Sequence, residues 1–472
     1  MYRRSPVMRV EGRDWRSVVL LKVALMQTGA EKTLMDGLAR IREQIYRHVG
    51  EKAQNLASAI NVELLMEIHK KSDGKKAPGI DGVSKEDYSV DVADKLEDLV
   101  SRMKREAYKP NASRRVYIDK PGSDKKRPLG ISCYEDKLVE KAVAQLLEIV
   151  YEPIFKDFSY GFRPGRNCHQ AIKEVRNEIQ LHKVNYVVEA DIASFFDTLN
   201  HDKLIEFLEH DIADKKFIGI IDRQLKAGIM EDGKYLDSEK GTPQGGCSSA
   251  TLANVYLHYT LDNWFENAVQ KGQFKGEAYL TRYADDFVAC FQYQEDAKKF
   301  YNSLGPRMEQ FGLALAPDKT RILEFGRFAA EDRKERGERK PETFSFLGFT
   351  FYCSTNQAKT KFRVKVKSDR KKMTSKLKKS NQWIKDNRHK LKPHELIRRM
   401  NKSLNGYYNY YAVTDNMRVV KVFRYCVVKQ LFYWLNRRSQ RKSYSWGKFN
   451  ALLERVPIVQ PKLRHCLYDE VA

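Results

Sequence analysis

The 472-residue sequence predicts an α+β chain: a body of mixed helices and antiparallel strands, then an α-helical basic tail. Three observations lead there. Short apolar runs of strand character, VNYVVEAD at 184–191 and a pair about a tight turn at Ala284–Asp285, sit among longer stretches with helical spacing. From about residue 366 the text is helical, basic and aromatic. The charge divides near the same place. Of the net +24, the segment Lys359 to Cys466 holds 30 Lys or Arg against five acids, and the remainder is balanced at 56 bases and 57 acids. That asymmetry points to a polyanion-binding module joined to a neutral body.

Taken in order, residues 17–70 read as helical, with apolar positions three and four apart. A breaker-rich loop follows, SDGKKAPGIDGV at 72–83. The β-like run Arg115 to Ile118 leads into a second loop, DKPGSDKKR at 119–127. Residues 135–153 read as a helix, 184–191 as a strand, and about 202–228 as helical again. Glu277 to Phe291 reads as two short strands. No fixed-period repeat is visible, and the lysine-rich run 359–379 is the only biased tract. At 42% hydrophobic residues the chain can bury a sizeable core, and at roughly 100–200 residues per domain it has room for two to four domains or one elaborated fold.

Several classes drop out. The apolar run Val18 to Leu25 is broken by Lys22 and is far short of the ~20 residues that cross a bilayer. No secretory signal with a long uncharged stretch and small-residue cleavage site is visible. The seven cysteines are scattered and form no CxxC pair, which argues against a disulfide framework or a cysteine-rich zinc site. A cytoplasmic protein with reduced thiols, and no membrane partner, is expected.

Acids sit at the ends of strand-like segments in two places. Asp191 closes the run before IASFFD, and Asp285 and Asp286 form the tip of the hairpin in TRYADDFVACF at 281–291. Adjacent acids at a turn are ordinarily turn chemistry. Here Tyr283 and Phe287–Val288–Ala289 flank them, which places both at the rim of a buried sheet. Buried charge of that kind is costly unless a cation neutralises it. A third acid at another strand end would complete an oxygen cage for two hard divalent ions, the arrangement used in phosphoryl transfer.

The ordered motifs are more specific. KAPGIDGV at 76–83, RPLGI at 127–131, YGFRPGRN at 160–167 and the Asp191 segment come first. GTPQGG at 241–246, YADD at 283–286, PDKT at 317–320 and FSFLGF at 344–349 follow, then LNGYYNYY at 404–411 and LNRRSQRKSYSW at 435–446. Together they resemble reverse transcriptases of the group II intron-encoded type, the intron maturases and their bacterial relatives. The likeness spans roughly residues 56–466, and residues 1–50 lie outside it. It implies a right-hand polymerase fold. In that layout residues 1–55 are a helical extension, 56–355 are fingers and palm with an antiparallel sheet, and 356–472 are an α-helical thumb and maturase domain X.

The same resemblance implies site residues. Asp191, Asp285 and Asp286, with the carbonyl of Ile192, would hold two Mg2+ ions, for which Mn2+ could substitute. Lys120 and Arg127 would grip the triphosphate of the incoming deoxynucleotide; a solvated basic loop would read the same. Phe196 stands at the sugar-gate position, where a ring leaves no room for a 2′-hydroxyl. Asp197 next to it leaves the spacing ambiguous, and the FFD context favours DNA synthesis. Gln244 would lie against the nucleotide and template, and Lys319 would protonate the leaving pyrophosphate unless it is a surface salt-bridge lysine. Leu347, Gly348 and Phe349 match the primer grip, although a buried strand–turn would look alike. Arg163 would contact template or brace the fingers, and His201 and His258 read as structural. CSSAT at 247–251 departs from the apolar-apolar-Ser-Pro-Leu pattern usual after GTPQGG, which puts template handling in question.

The expected partners are structured RNA (intron RNA or a dedicated non-coding RNA), an RNA template with its DNA primer, deoxynucleotides and a DNA target. A basic helical tail suits the phosphate-dominated binding of folded RNA. Many of the aromatics between 383 and 434 recur at helical spacing, so half or more should pack a helical core. The sequence stops within six residues of the last match, so no HNH endonuclease domain is expected, and mobility would depend on a primer made elsewhere. Two readings differ from the polymerase–maturase one: a relative adopted for antiphage defence, CRISPR adaptation or repair, and a splicing factor with a relic polymerase fold.

Overall fold

The alternation of burial along two strands organises the protein. The computed structural model describes residues 36–47, 50–119, 126–438, 440 and 443–468. In strand β3 (Tyr186–Asp191), Val188 and Ala190 enter one hydrophobic core while Val187 enters a second on the opposite face. In β7 (Asp286–Phe291), Phe287, Ala289 and Phe291 join the first core, and Val288 and Cys290 the second. A strand buried on both faces reads as a continuous apolar run, as these two do in the sequence.

Eleven strands occur among the described residues, and they form three sheets. The central one has the order β6-β7-β3-β8, all neighbours antiparallel, with β6 at Ala278–Tyr283 and β8 at Arg321–Glu324. A second, β2-β1-β4-β5, joins β1 (Ser113–Asp119), β2 (Lys126–Ile131), β4 (Ile229–Glu231) and β5 (Lys234–Leu236); its β1–β4 contact is parallel. The third, β11-β10-β9, comprises β9 (Phe344–Phe346), β10 (Phe349–Thr355) and β11 (Phe362–Ser368). The first core lies between the central sheet and the helices Tyr134–Tyr151, His201–Asp211, Lys215–Leu225 and Ser249–Leu257. The second joins the sheet's other face to the helices Pro393–Tyr411 and Met417–Leu435.

The predicted α+β class holds, with differences at the boundaries. The 17–70 helical reading resolves into Asp36–Arg47, Leu56–Ala59 and Val62–Lys71, broken where Gly50 takes φ +101° and Ala53 bridges Ile212; residues 17–35 lie outside the described residues. The 202–228 helix is two helices, the second capped by Asp214, whose side chain accepts from the Phe217 amide. β11 was missed. Its FRVKVKS alternates Val inward with Lys outward, a period-2 signal hidden inside a lysine-rich run. Sheet structure continues beyond residue 355, because β11 pairs with β10 up to Ser368, and the helical tail begins at Arg370 under an Asp369 cap. Of those aromatics, Tyr407, Tyr408, Tyr411 and Phe423 are buried; Trp383, Tyr410, Phe432 and Trp434 pack against that core, and Tyr425 and Tyr433 are exposed.

One buried acid gives the fold a pH dependence. Glu178, on the helix Cys168–Leu181, accepts a 2.9 Å hydrogen bond from Thr281 of β6, and burial pushes its carboxyl up to about 8. A raised folded value means its contribution is full below the unfolded pKa and is lost as pH climbs through about 8. Glu178→Gln keeps the Thr281 contact without the charge. Urea unfolding at pH 5 and pH 9 should show the variant losing less stability, by on the order of 3 kcal/mol.

Candidate active site

Three aspartates meet at one end of the central sheet. Asp191 ends β3 and is the register partner of Asp286, the first residue of β7. Asp285 lies in the two-residue turn from β6, beside Ala284, which takes φ +57° although it carries a Cβ. That left-handed conformation costs roughly 1 kcal/mol and needs outside support. Lys319 is brought in by the short turn Pro317–Lys319, pinned to β3 where the Ala316 amide donates to the Asp191 carbonyl at 2.8 Å. Its ammonium contacts Asp191 Oδ2.

The electrostatics are unbalanced in favour of negative charge. Burial, then the charge on Asp191, raises Asp285 above the usual carboxylate range, against the pull of Arg127 and Lys319. Burial, then Asp191 and Asp285, pushes Asp286 up to about 7, while the Leu347 amide and Lys372 draw it down. The bond to Asp191 holds the Lys319 ammonium above its ordinary value. Three crowded carboxylates are the donor set a hard divalent cation takes. Among the described residues no three such groups are drawn into a ready cage, and on Asp191 the Lys319 ammonium supplies the positive charge. The donor chemistry therefore fits a divalent ion, with Asp191 exchanging its ammonium partner for it.

Of the other predicted residues, Arg127 and Leu347 bear on this edge. Arg127, on β2 opposite Ile118, is close enough to bear on Asp285. Lys120 lies outside the described residues. Ile192 is buried and bridges Leu315 beside the Lys319 turn. Phe196 and Gln244 line one cleft of about 340 Å³. The GTPQGG loop is strapped across it: the Thr242 amide donates to Phe196 at 2.8 Å, the Gly241 amide to Leu199 at 2.7 Å, and the Gly130 amide to Gln244 at 2.9 Å. Leu347 and Gly348 form the turn between β9 and β10 with φ +48° and +79°, the primed hairpin geometry. Tyr410 donates to the Leu347 carbonyl at 2.7 Å, and a Cβ on Gly348 would stand 3.0 Å from the Tyr411 hydroxyl.

Some roles change on seeing the packing. Arg163 is buried, ion-paired to Glu152 at 2.9 Å, and donates to the carbonyls of Lys156 and Ser159, so of its two readings the bracing one matches. His201 lies 2.6 Å from the Gly241 carbonyl, holding the loop. The CSSAT segment has a local job. The Cys247 amide donates to buried Glu140 at 2.8 Å, and Ser249 donates to the Pro243 carbonyl while accepting from Thr242.

Sequence reasoning missed the support beneath the turn. Arg282 is fully buried and pairs with equally buried Asp262 at 2.5 and 2.7 Å. Its other nitrogen donates to Asn254 Oδ1 at 2.9 Å and to the Ala284 carbonyl at 3.1 Å. Asn254 donates in turn to the Gly161 carbonyl at 2.7 Å. A Cβ on Gly161 would stand 2.4 Å from the Ala284 amide nitrogen, so the YGFRPG loop lies against the strained turn. Asp262 reaches its position from a π-helical stretch, His258–Asp262. An arginine within an apolar strand demanding a buried partner was the available signal.

Comparison with known proteins points to a polymerase family. Residues 118–351 match the family of reverse transcriptases (RNA-dependent DNA polymerases), and residues 370–451 match the group II intron maturase-specific domain. The chain is 43% identical over 165 residues to the group II intron-encoded protein LtrA of Lactococcus lactis subsp. cremoris, covering 35% of this chain and 27% of that protein. It is 34% identical over 244 residues to protein YkfC of Escherichia coli K12, covering 46% and 64%. A mitochondrial nuclear intron maturase 1 of Arabidopsis thaliana is 29% identical over 112 residues, 24% of this chain and 16% of that one. The chain thus spans about a quarter of the Lactococcus relative's length and under two thirds of the Escherichia one. Reverse transcriptase domains act with divalent metal ions. No helix among the described residues is long and apolar enough to cross a membrane.

Proposed function

Because the chain belongs to the family of group II intron-encoded reverse transcriptases and maturases, we propose that it copies RNA into DNA and binds structured intron RNA. One observation carries the polymerase reading: Asp191, Asp285 and Asp286 share a sheet edge where burial, and then the two neighbouring carboxylates, lifts Asp286 to about 7. Magnesium ions held by these carboxylates and the Ile192 carbonyl would activate the primer 3′-hydroxyl and neutralise the leaving phosphates, with manganese a substitute.

The remaining work falls to the chain's own groups. Arg127, close enough to bear on Asp285, orients the triphosphate together with Lys120. Lys319, held protonated beside Asp191, is placed to give a proton to the departing pyrophosphate. Phe196 closes the cleft under the sugar, and Gln244, on its strapped loop, meets the base pair. The hairpin Leu347–Phe349 fixes the primer backbone, since its Leu347 amide also reaches Asp286. The exposed cations of the helix Arg370–Asn387, where Ile384 is the sole buried residue, suit a phosphate backbone and make RNA binding steeply salt-dependent.

The test is extension of oligo(dT) on poly(rA) with dTTP and then with UTP. The unmutated protein should use dTTP in Mg2+ and reject UTP. Phe196→Ala should admit UTP, narrowing the preference by about a hundred-fold, since discrimination by exclusion is worth a few kcal/mol. Efficient UTP use by the unmutated protein would contradict the gate.

A further inference from the structure

A cationic groove lies away from the aspartates. It has a volume of about 1260 Å³, and its cations come from two separate elements. Arg327 and Lys340 come from the connection after β8, and Lys359 and Lys361 from the β10–β11 hairpin. Leu347–Phe349 at the start of β10 belong to the active site, whereas Cys353–Thr355 at its far end line the groove. Seven residues of strand put roughly 20 Å between them.

The charge of this groove is not cancelled locally. Glu331 is the one carboxylate among its lining residues. The neighbouring acids are already engaged: Glu324 and Glu338 by Arg336, Glu338 also by Arg333, and Glu342 by Arg321. The same lining includes apolar groups, notably Phe328 and Leu181, which are 52% and 65% exposed. Cations from two elements together with an exposed ring in the same groove match a polynucleotide strand, whose phosphates and bases need these two surfaces together. A small inorganic anion would leave the apolar part without a role, and an acidic peptide would leave the ring without a stacking partner.

We propose that this groove binds single-stranded nucleic acid, with phosphates on Arg327, Lys340, Lys359 and Lys361 and a base stacked on Phe328. That the strand is RNA rests on the function proposed above. A strand held here would tether partner RNA while the polymerase cleft stays open for template and primer.

The experiment uses the full chain, saturated with an unlabelled template–primer hairpin so that the polymerase cleft is filled. Fluorescence anisotropy then follows a labelled oligo(U) of about 12 nucleotides, within the site sizes such grooves cover. The variant Arg327→Gln/Lys340→Gln/Lys359→Gln/Lys361→Gln changes only exposed side chains. It should bind about ten-fold or more weaker, with a salt slope reduced by about 0.7 per lost phosphate contact. Phe328→Ala should weaken binding about five-fold or more without changing that slope. Extension of the hairpin itself should stay within about two-fold in both, which separates this site from the polymerase reading. Unlabelled oligo(dT) that competes as well as oligo(U) keeps the site and assigns it to a DNA strand. Unchanged oligo(U) affinity in the fourfold variant, or equal competition by oligoglutamate, would overturn the proposal.

Discussion

Asp285→Ala is expected to lower primer extension by about a thousand-fold or more while leaving the protein folded. Loss of one carboxylate from a divalent-ion site removes several kcal/mol of charge stabilisation, and each 1.36 kcal/mol is about ten-fold in rate. The fold should not suffer. Burial and the neighbouring Asp191 already hold the Asp285 carboxyl above its usual range, so its charged form is a cost to the folded state at neutral pH. The variant's melting temperature without metal should therefore be unchanged or higher. Removing this charge also relieves Asp286, whose carboxyl should titrate below its present value of about 7. Retained extension would refute the assignment of Asp285. Loss of extension together with collapse of the melting temperature would show a structural role instead.

Arg282→Ala should act by the opposite route, through stability. It leaves Asp262 buried and charged with no partner, a loss of about 3–5 kcal/mol when one member of a buried pair is removed. Replacing both members, as in Arg282→Met with Asp262→Leu, should restore most of the melting temperature. Extension should remain depressed in that double variant. The Ala284 carbonyl has then lost its donor and the strained turn before Asp285 its brace. Recovery of both stability and extension would reduce Arg282 to a packing residue.

The contrast between these residues shows what a sequence can disclose. Asp285 and Asp286 were legible because two acids between Tyr283 and Phe287 break a local pattern. The strand–turn–strand about them follows from the same ten residues. Arg282 stands one residue before Tyr283, yet its partner is 20 residues away in sequence and arrives through a π-helical turn that no periodicity announces. Lys319 was expected as an acid near pyrophosphate, and its pairing with Asp191 depends on a contact across 128 positions. β11 was lost for a different reason: its lysines alternate with valines, and charge density masked the period. The groove beside Phe328 was invisible because its cations come from separate elements that meet only in the fold.

The central claim is that the edge formed by Asp191, Asp285 and Asp286 builds DNA on an RNA template. The most direct measurement is single-nucleotide addition to a labelled DNA primer on a mixed-sequence RNA template, with the product sequenced. In Mg2+ the purified chain should add the deoxynucleotide complementary to each template base, and addition should stop with a chelator or with Asp286→Asn. If the chain binds this template–primer yet adds no templated deoxynucleotide in Mg2+ or Mn2+, the account is wrong.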